Sequence, residues 1–359
     1  MAGTQLFEYL KIQSILRSYS VYFSEDTDSL ISQFQTNNTF FFVDKNVHEK
    51  FLSDLLPAKQ KNVILIEANE LNKTPEFCLT LIKIMVDNGI KKSSKLVAVG
   101  GGVIQDIASF ISSILFRGID WIFFPTTLLA QADSCIGSKS SINFDQVKNL
   151  LGTFNPPSEI YINTSFLNTL SVSDIKSGIG EIFHYYYYKN SDYIPRMVSQ
   201  YHEILANRGL IEPYIKESLS IKKEMVEKDE FDKGPRRVFN YGHTFGHALE
   251  ALTDYYLNHG QAVTIGMDLA NYISLNLGFI DQLQYDIMRK ELEINFPEFR
   301  FPLESFDKYL QLLSKDKKNT NENVTCILTK GKGNLFLYEL IFDEKNKLLV
   351  RGYFASNFA

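Results

Sequence analysis

The chain has 359 residues, too many for one ordinary core, so about two domains are expected. Apolar residues make up 45% and charged residues 22%, which excludes disorder, collagen and coiled coil as whole-chain descriptions. With 37 Lys+Arg against 42 Asp+Glu the net charge is −5, so no general attraction to nucleic acid or to an anionic membrane is expected.

The three cysteines, Cys78, Cys135 and Cys326, are far apart and form no CxxC pair. A disulfide framework or cysteine zinc site is not expected, and a reducing, cytoplasmic compartment fits. The start, MAGTQLFEYLKIQ, lacks the basic and apolar regions of a signal peptide. No apolar run approaches the roughly 18 residues of a membrane span.

Short apolar runs alternate with helical patterns in the first half. Phe40–Val43 reads as a buried strand ending at Asp44-Lys45-Asn46, and Val63–Ile66 as a second strand. Pro75 to Ile90 has helical spacing, with proline in the first turn. Leu96–Val99 reads as a third strand running into Gly100-Gly101-Gly102, followed by a helix from Val103 to Phe116. Trp121–Phe124 reads as a fourth strand, closed by Pro125. This rhythm predicts a parallel sheet with helices on both faces. From Val172 to Leu292 the pattern is almost wholly helical, and strand-like runs return at Cys326–Leu328 and Leu335–Leu337. The expected organisation is an α/β Rossmann-like domain over 1–170 and a mostly helical domain over 171–359.

Two motifs carry chemistry. The first is VGGGVIQD, Val99 to Asp106, between a strand and a helix. Glycines allow close approach of a pyrophosphate, and the helix N-terminus offers free N–H groups and a positive dipole. The alternative is a plain strand-to-helix turn. Asp44 and Asn46 end an earlier strand, where ribose hydroxyls are commonly held, although an Asx turn explains them equally.

The second motif is GHTFGHALE, Gly242 to Glu250, followed by His259-Gly260. His243 and His247 are four apart on a predicted helix and project from one face. Neutral imidazoles are good ligands for a divalent ion. A glycine precedes each of the two, at a cost of about 1 kcal/mol apiece in a helix, which predicts a close approach. Glu181, in Gly180-Glu181-Ile182-Phe183-His184, lies on an otherwise apolar helical face and needs a partner such as a metal ion. Ordinary core histidines and a salt-bridged glutamate are the plainer alternative. Arg117, Lys139, Lys148, Lys222, Arg236 and Arg237 lie near these motifs; each alone reads as a solvated surface charge, and their position beside the motifs points to a polyanionic small molecule.

The segments GGGVIQD (100–106), FRGIDWIFFPTTLLAQADSCIGSK (116–139), KNLLGTF (148–154), SGIGEI (177–182), EKDEFDKGPRRVFNYGHTFGHALE (227–250) and HGQAVTIGM (259–267) resemble the sugar phosphate cyclases, and among them the 3-dehydroquinate synthases. The resemblance covers roughly 38 to 330. It implies a Rossmann-like domain plus a helical domain with a cleft between them, NAD⁺, a Zn²⁺ or Co²⁺ ion and a homodimer. It also implies a carbon–oxygen lyase of the shikimate route to aromatic amino acids. In that chemistry, NAD⁺ oxidises an alcohol of a seven-carbon sugar acid phosphate, phosphate is eliminated, the hydride returns, and an aldol step closes the ring.

Carried over by motif, Glu181, His243 and His259 would be metal ligands. His247 would lie near the phosphate. Asp133, Lys139 and Asn149 would contact substrate and nucleotide, with Lys148 at the nicotinamide end. Lys222, Arg236 and Asn240 would grip carboxylate and hydroxyls. Arg117 would reach phosphate across the dimer, and Lys317 would contact phosphate. The dinucleotide would add Asp44, Asn46, Glu70, Lys73, Gly101, Gly102, Val103, Asp106, Thr126 and Thr127.

Three departures surround the substrate. His184 stands where the family usually has a lysine, Gln261 replaces a glutamate after the last ligand, and Ser138 replaces a glycine before Lys139. Three alternatives stay open: a sister cyclase acting on a sugar phosphate without a carboxylate (2-deoxy-scyllo-inosose or valiolone type), an NAD-dependent metal alcohol dehydrogenase, which shares the fold and the glycine-rich turn, and a non-catalytic homologue. The Arg236…Asn240 pair favours a substrate with a carboxylate.

Overall fold

The computed structural model describes residues 8–145, 147–254, 256–314 and 323–358. They form two compact units. One comprises the chain up to Leu170 with 208–212 and 222–231; the other comprises 171–207, 213–221 and the chain from Asp232.

The first unit is the expected α/β layer structure. Its elements are β1 (Glu8–Ile12), β2 (Tyr19–Phe23), α1 (Thr27–Phe34), β3 (Thr39–Asp44), the short α2 (Lys45–Val47), β4 (Val63–Ile66), α3 (Pro75–Asp87), β5 (Lys95–Gly100), α4 (Gly102–Ile114), β6 (Asp120–Pro125), β7 (Lys139–Phe144), β8 (Val147–Phe154) and β9 (Glu159–Ile162). Seven strands form one sheet in the order β1-β2-β9-β6-β5-β3-β4. Only β1 runs antiparallel to its neighbour.

The four strands expected from apolar runs are β3 to β6. They are buried on both faces, as parallel strands covered by helices must be: Phe41, Phe42, Val43, Val97 and Ile122 have no exposed surface. β7 and β8 form a separate antiparallel hairpin that the sequence reading lacks.

Chain order places the ligand-binding crevice. β3 connects outward to β4 at the sheet edge, and the chain then returns through α3 to β5 on the other side of β3. The order reverses between β3 and β5, and such sheets bind ligands at the carboxyl ends of the strands flanking the reversal. Asp44 ends β3 and Gly100-Gly101-Gly102 follows from β5 into α4.

The second unit contains α5 (Val172–Lys189), α6 (Tyr193–Ala206), the 213–221 part of α7 (Glu212–Lys228), α8 (His243–Leu252), α9 (His259–Asn276), α10 (Gln282–Glu293), α11 (Phe306–Ser314), the hairpin of β10 (Asn323–Thr329) with β11 (Leu335–Ile341), and α12 (Glu344–Asn357). The two tail runs expected to be strands pair as β10 and β11, with Cys326 opposite Tyr338.

α9 is the axis of this unit. Every residue from Gly260 to Asn271 is buried, including Asp268 and Asn271. Asp268 is neutralised by Arg289 of α10 and held by Tyr353 of α12, and Asn271 accepts from Tyr241. A helix buried all round requires neighbours on every side. Among the described residues, no helix is long and apolar enough to cross a membrane.

Candidate metal centre and nucleotide site

In the first unit, the predicted nucleotide residues gather at the carboxyl ends of β3, β4, β5 and β6. The Asp44 carboxylate caps α2, accepting from Asn46 N at 2.8 Å and Val47 N at 3.4 Å. The Asx-type turn is therefore present. Burial pushes the Asp44 carboxyl up, against those two N–H bonds. Asn46 is exposed.

Gly101 caps α4 with no side chain bonded to the first turn, which starts with Gly102 and Val103. A methyl group on Gly101 would come 2.8 Å from Thr127 Cγ2, so glycine lets the β6 exit, Thr126-Thr127, pack against this turn.

Glu70, Lys73 and Asp106 form one ionic cluster. Lys73 Nζ lies 3.1 Å from both Glu70 Oε1 and Asp106 Oδ2. Asp106 also accepts from Ser141 N at 2.9 Å and Ser141 Oγ at 3.0 Å, and Glu70 accepts from Asn143 Nδ2 at 2.9 Å. The cluster ties the β7–β8 hairpin to α4. Burial opposes the charged form of Lys73, but the two carboxylates outweigh it and raise the ammonium pKa. Burial raises the Asp106 carboxyl despite Lys73. Removing the cation strands a partly buried carboxylate, so Lys73→Met should destabilise the first unit by about 3 kcal/mol. Thermal unfolding tests this, and adding Asp106→Asn should restore part of the loss.

Lys139 begins β7, while Lys148 and Asn149 lie on β8, Asn149 with φ of 51° and its N–H on Asn143 Oδ1. Lys222 is buried and donates to Asp133 twice, at 2.7 Å to Oδ1 and 2.7 Å to the carbonyl. Arg117 is exposed between α4 and β6, at the opposite end of the sheet from Gly101. It therefore does not join the carboxyl-end cluster of its own chain.

In the second unit, α5, α8 and α9 bring Glu181, His243 and His259 together. Glu181 is 2% exposed, and its Oε1 lies 3.5 Å from His243 Nε2 and 3.3 Å from His259 Nε2. That oxygen is buried without a well-formed hydrogen bond. The nitrogens of His243, His247 and His259 all lie within 4.8 Å of one another.

Two distances set the chemistry. Ligand atoms around a tetrahedral zinc ion sit about 3.4 Å from each other, given metal–ligand distances near 2.0–2.1 Å. The Glu181 Oε1 to Nε2 separations match that edge. The far nitrogens are also committed: His243 Nδ1 lies 3.2 Å from Tyr241 O, and His259 Nδ1 lies 2.9 Å from Glu250 Oε2. Both partners accept only, so each Nδ1 donates and each Nε2 faces the Glu181 side, where its lone pair is available to a cation whenever the ring is neutral. An orphaned buried carboxylate oxygen facing two such nitrogens fits a divalent cation.

Burial alone would raise the Glu181 carboxyl, but His243, His259 and His184 hold it well below the usual carboxylate range. Burial disfavours a charged His259, yet Glu181 and Glu250 lift its pKa well above the ordinary value.

Helix packing holds this geometry. A methyl group on Gly180 would collide with the Gly260 carbonyl, and one on Gly260 with the Ser177 carbonyl, so α5 and α9 cross backbone to backbone beside two ligand candidates. Gly260 N also donates to Ser177 Oγ at 3.0 Å. The close approach expected from Gly242 and Gly246 is α9 itself, whose Val263 backbone packs on both.

His247 is exposed and stacks on His259 at 5.4 Å. His184 is buried, with Nδ1 3.9 Å from Glu181 Oε2 and its ring edge-on to His243 and Phe239. Arg236 is buried, and Asn240 caps its turn by donating to Arg237 O at 3.0 Å. Gln261 accepts from Ser173 Oγ at 2.9 Å. Lys317 lies outside the described residues. Sequence reasoning missed Glu250 as a partner of His259. The available signal was its spacing, seven residues after His243 and three after His247 on the same helical face.

Comparison with known proteins agrees with this architecture. The profile of the 3-dehydroquinate synthase N-terminal domain matches residues 63–177, and that of the C-terminal domain matches 178–319. The chain is 33% identical to the 3-dehydroquinate synthase of Thermoanaerobacter sp. strain X514 over 359 residues, covering 95% of this chain and 99% of the relative. It is 36% identical to that of Helicobacter pylori strain P12 over 288 residues, covering 80% and 82%. The structure superposes on the 2-epi-5-epi-valiolone synthase ValA of Streptomyces hygroscopicus subsp. jinggangensis 5008, solved with NAD⁺ and Zn²⁺, with TM-score 0.82, 22% identity and coverage of 97% and 99%. The fold is that of the sugar phosphate cyclases. Within that class, the chain belongs to the 3-dehydroquinate synthase family.

Proposed function

We propose that this chain is a 3-dehydroquinate synthase. It converts 3-deoxy-D-arabino-heptulosonate 7-phosphate to 3-dehydroquinate and phosphate, with NAD⁺ and one Zn²⁺ or Co²⁺. The observation that carries the assignment is the buried, orphaned Glu181 Oε1 facing Nε2 of His243 and His259 at the edge length of a tetrahedral site. The relatives at 33% and 36% identity are 3-dehydroquinate synthases, whereas the valiolone synthase stands at 22%.

When bound, the ion polarises the alcohol undergoing oxidation and NAD⁺ takes up and returns the hydride. The chain's own residues do the rest. Glu181, His243 and His259 hold the ion. The uncapped first turn of α4 and its glycines receive the pyrophosphate, with Thr126, Thr127 and the Asp44 turn around it. Arg236 offers a bidentate grip on the substrate carboxylate, which a carboxylate-free sugar phosphate cannot use. Lys222, oriented by Asp133, and Lys139 neutralise further oxygens. His247 would meet a phosphate oxygen, and His184 supplies a buried imidazole in place of a permanent cation.

We place the enzyme in the cytoplasm as a homodimer. Its three cysteines are free and buried, which suits a reducing compartment. Arg117, remote from its own carboxyl-end cluster, would serve phosphate only through a second copy.

Chelation tests the metal requirement. Treatment with a strong chelator should abolish phosphate release, and Zn²⁺ or Co²⁺ should restore it. Full turnover by metal-stripped protein would overturn the assignment.

A further inference from the structure

We propose that Glu250 is a positioning residue of the metal centre. It fixes the orientation and tautomer of His259 and supplies the second negative charge that a divalent ion requires. The inference rests on the metal assignment above.

Glu250 lies on the face of α8 that carries His243 and His247, and it reaches across to His259, the first residue of α9. Its Oε2 accepts from His259 Nδ1 at 2.9 Å. Among the described residues, its carboxylate has no other ionic partner.

The two histidines are held differently. His243 Nδ1 faces the Tyr241 carbonyl, which belongs to the main chain and carries no net charge. His259 Nδ1 faces a carboxylate, and the His259 side chain is 32% exposed at a helix end. A carboxylate behind an imidazole makes the ring a stronger donor and locks it with Nε2 toward the ion.

Charge points the same way. Two neutral imidazoles and Glu181 carry one negative charge against a divalent cation. Glu250 makes the balance even, which favours burial of the ion. Gln261, two residues after His259, contributes no charge.

The test is the Zn²⁺ dissociation constant of the full-length protein, measured by competition with a chromophoric chelator. Wild type, Glu250→Gln and Glu250→Ala are compared, with the thermal midpoint of each metal-free protein alongside. Glu250→Ala should weaken binding roughly 10- to 100-fold. Glu250→Gln keeps an acceptor oxygen but loses the charge, so it should fall between Ala and wild type. The metal-free midpoint of the Gln variant should be unchanged, which a purely structural role would not leave in place. The absorption spectrum of the Co²⁺-loaded Gln variant should also shift.

Wild-type affinity in the Gln variant overturns the proposal, even where the Ala variant fails to fold. Failure of wild type itself to bind Zn²⁺ or Co²⁺ overturns the metal assignment instead.

Discussion

Glu181→Gln should abolish turnover and metal retention together. The substitution keeps the side chain's shape and removes its charge, while placing an NH₂ or a weaker oxygen donor against two imidazole Nε2 atoms. Glu181 is only 2% exposed, so water cannot stand in for the lost carboxylate. The loss should exceed the roughly 10- to 100-fold that follows removal of a residue behind a ligand, because a ligand itself is gone. Metal content after dialysis and phosphate release check this in parallel. A variant that keeps one equivalent of zinc and most of its activity would show that Glu181 is not a ligand.

Gly260→Ala should be nearly as damaging, by a different route. Its methyl group would meet the Ser177 carbonyl of α5, a backbone atom that cannot rotate away. Overpacking of this kind costs about 1–3 kcal/mol, and more where the backbone must move. Relief requires α5 and α9 to separate. Glu181 follows Gly180 on α5 and His259 precedes Gly260 on α9, so separation also opens the metal site. Thermal unfolding should show the destabilisation, and zinc affinity should fall beyond what lost stability explains. Ala at Gly102, where a methyl group would meet nothing within 4 Å, provides the contrasting case for packing.

The sequence made the sheet legible where burial was complete. β3 to β6 are unbroken apolar runs between turn residues, and each lies within one residue of its expected bounds. The β7–β8 hairpin was not legible. β8 is mostly exposed, its apolar residues do not alternate, and its partner strand β7 is held through Ser141 by Asp106, far away in the chain. β1 and β2 are short and partly exposed, and β9 has four residues.

The site divides in the same way. His243 and His247 were legible from helical spacing, and Glu181 from a charge on an apolar face. The Glu250–His259 bond was not, because it depends on how the connection after Thr253 returns α9 against α8. The glycines before the histidines predicted a close neighbour without identifying it as α9. Asp44 shows the limit of a motif: a strand-end aspartate that suits a ribose also caps the turn that follows it.

The most direct measurement supplies purified, zinc-loaded protein and NAD⁺ with 3-deoxy-D-arabino-heptulosonate 7-phosphate, and separately with sedoheptulose 7-phosphate and glucose 6-phosphate. Phosphate, NADH and the carbocyclic product are followed in each case. Phosphate release with 3-dehydroquinate as product is expected from the sugar acid alone, with no net NADH. Phosphate release confined to the carboxylate-free sugars, or steady accumulation of NADH, would contradict the assignment.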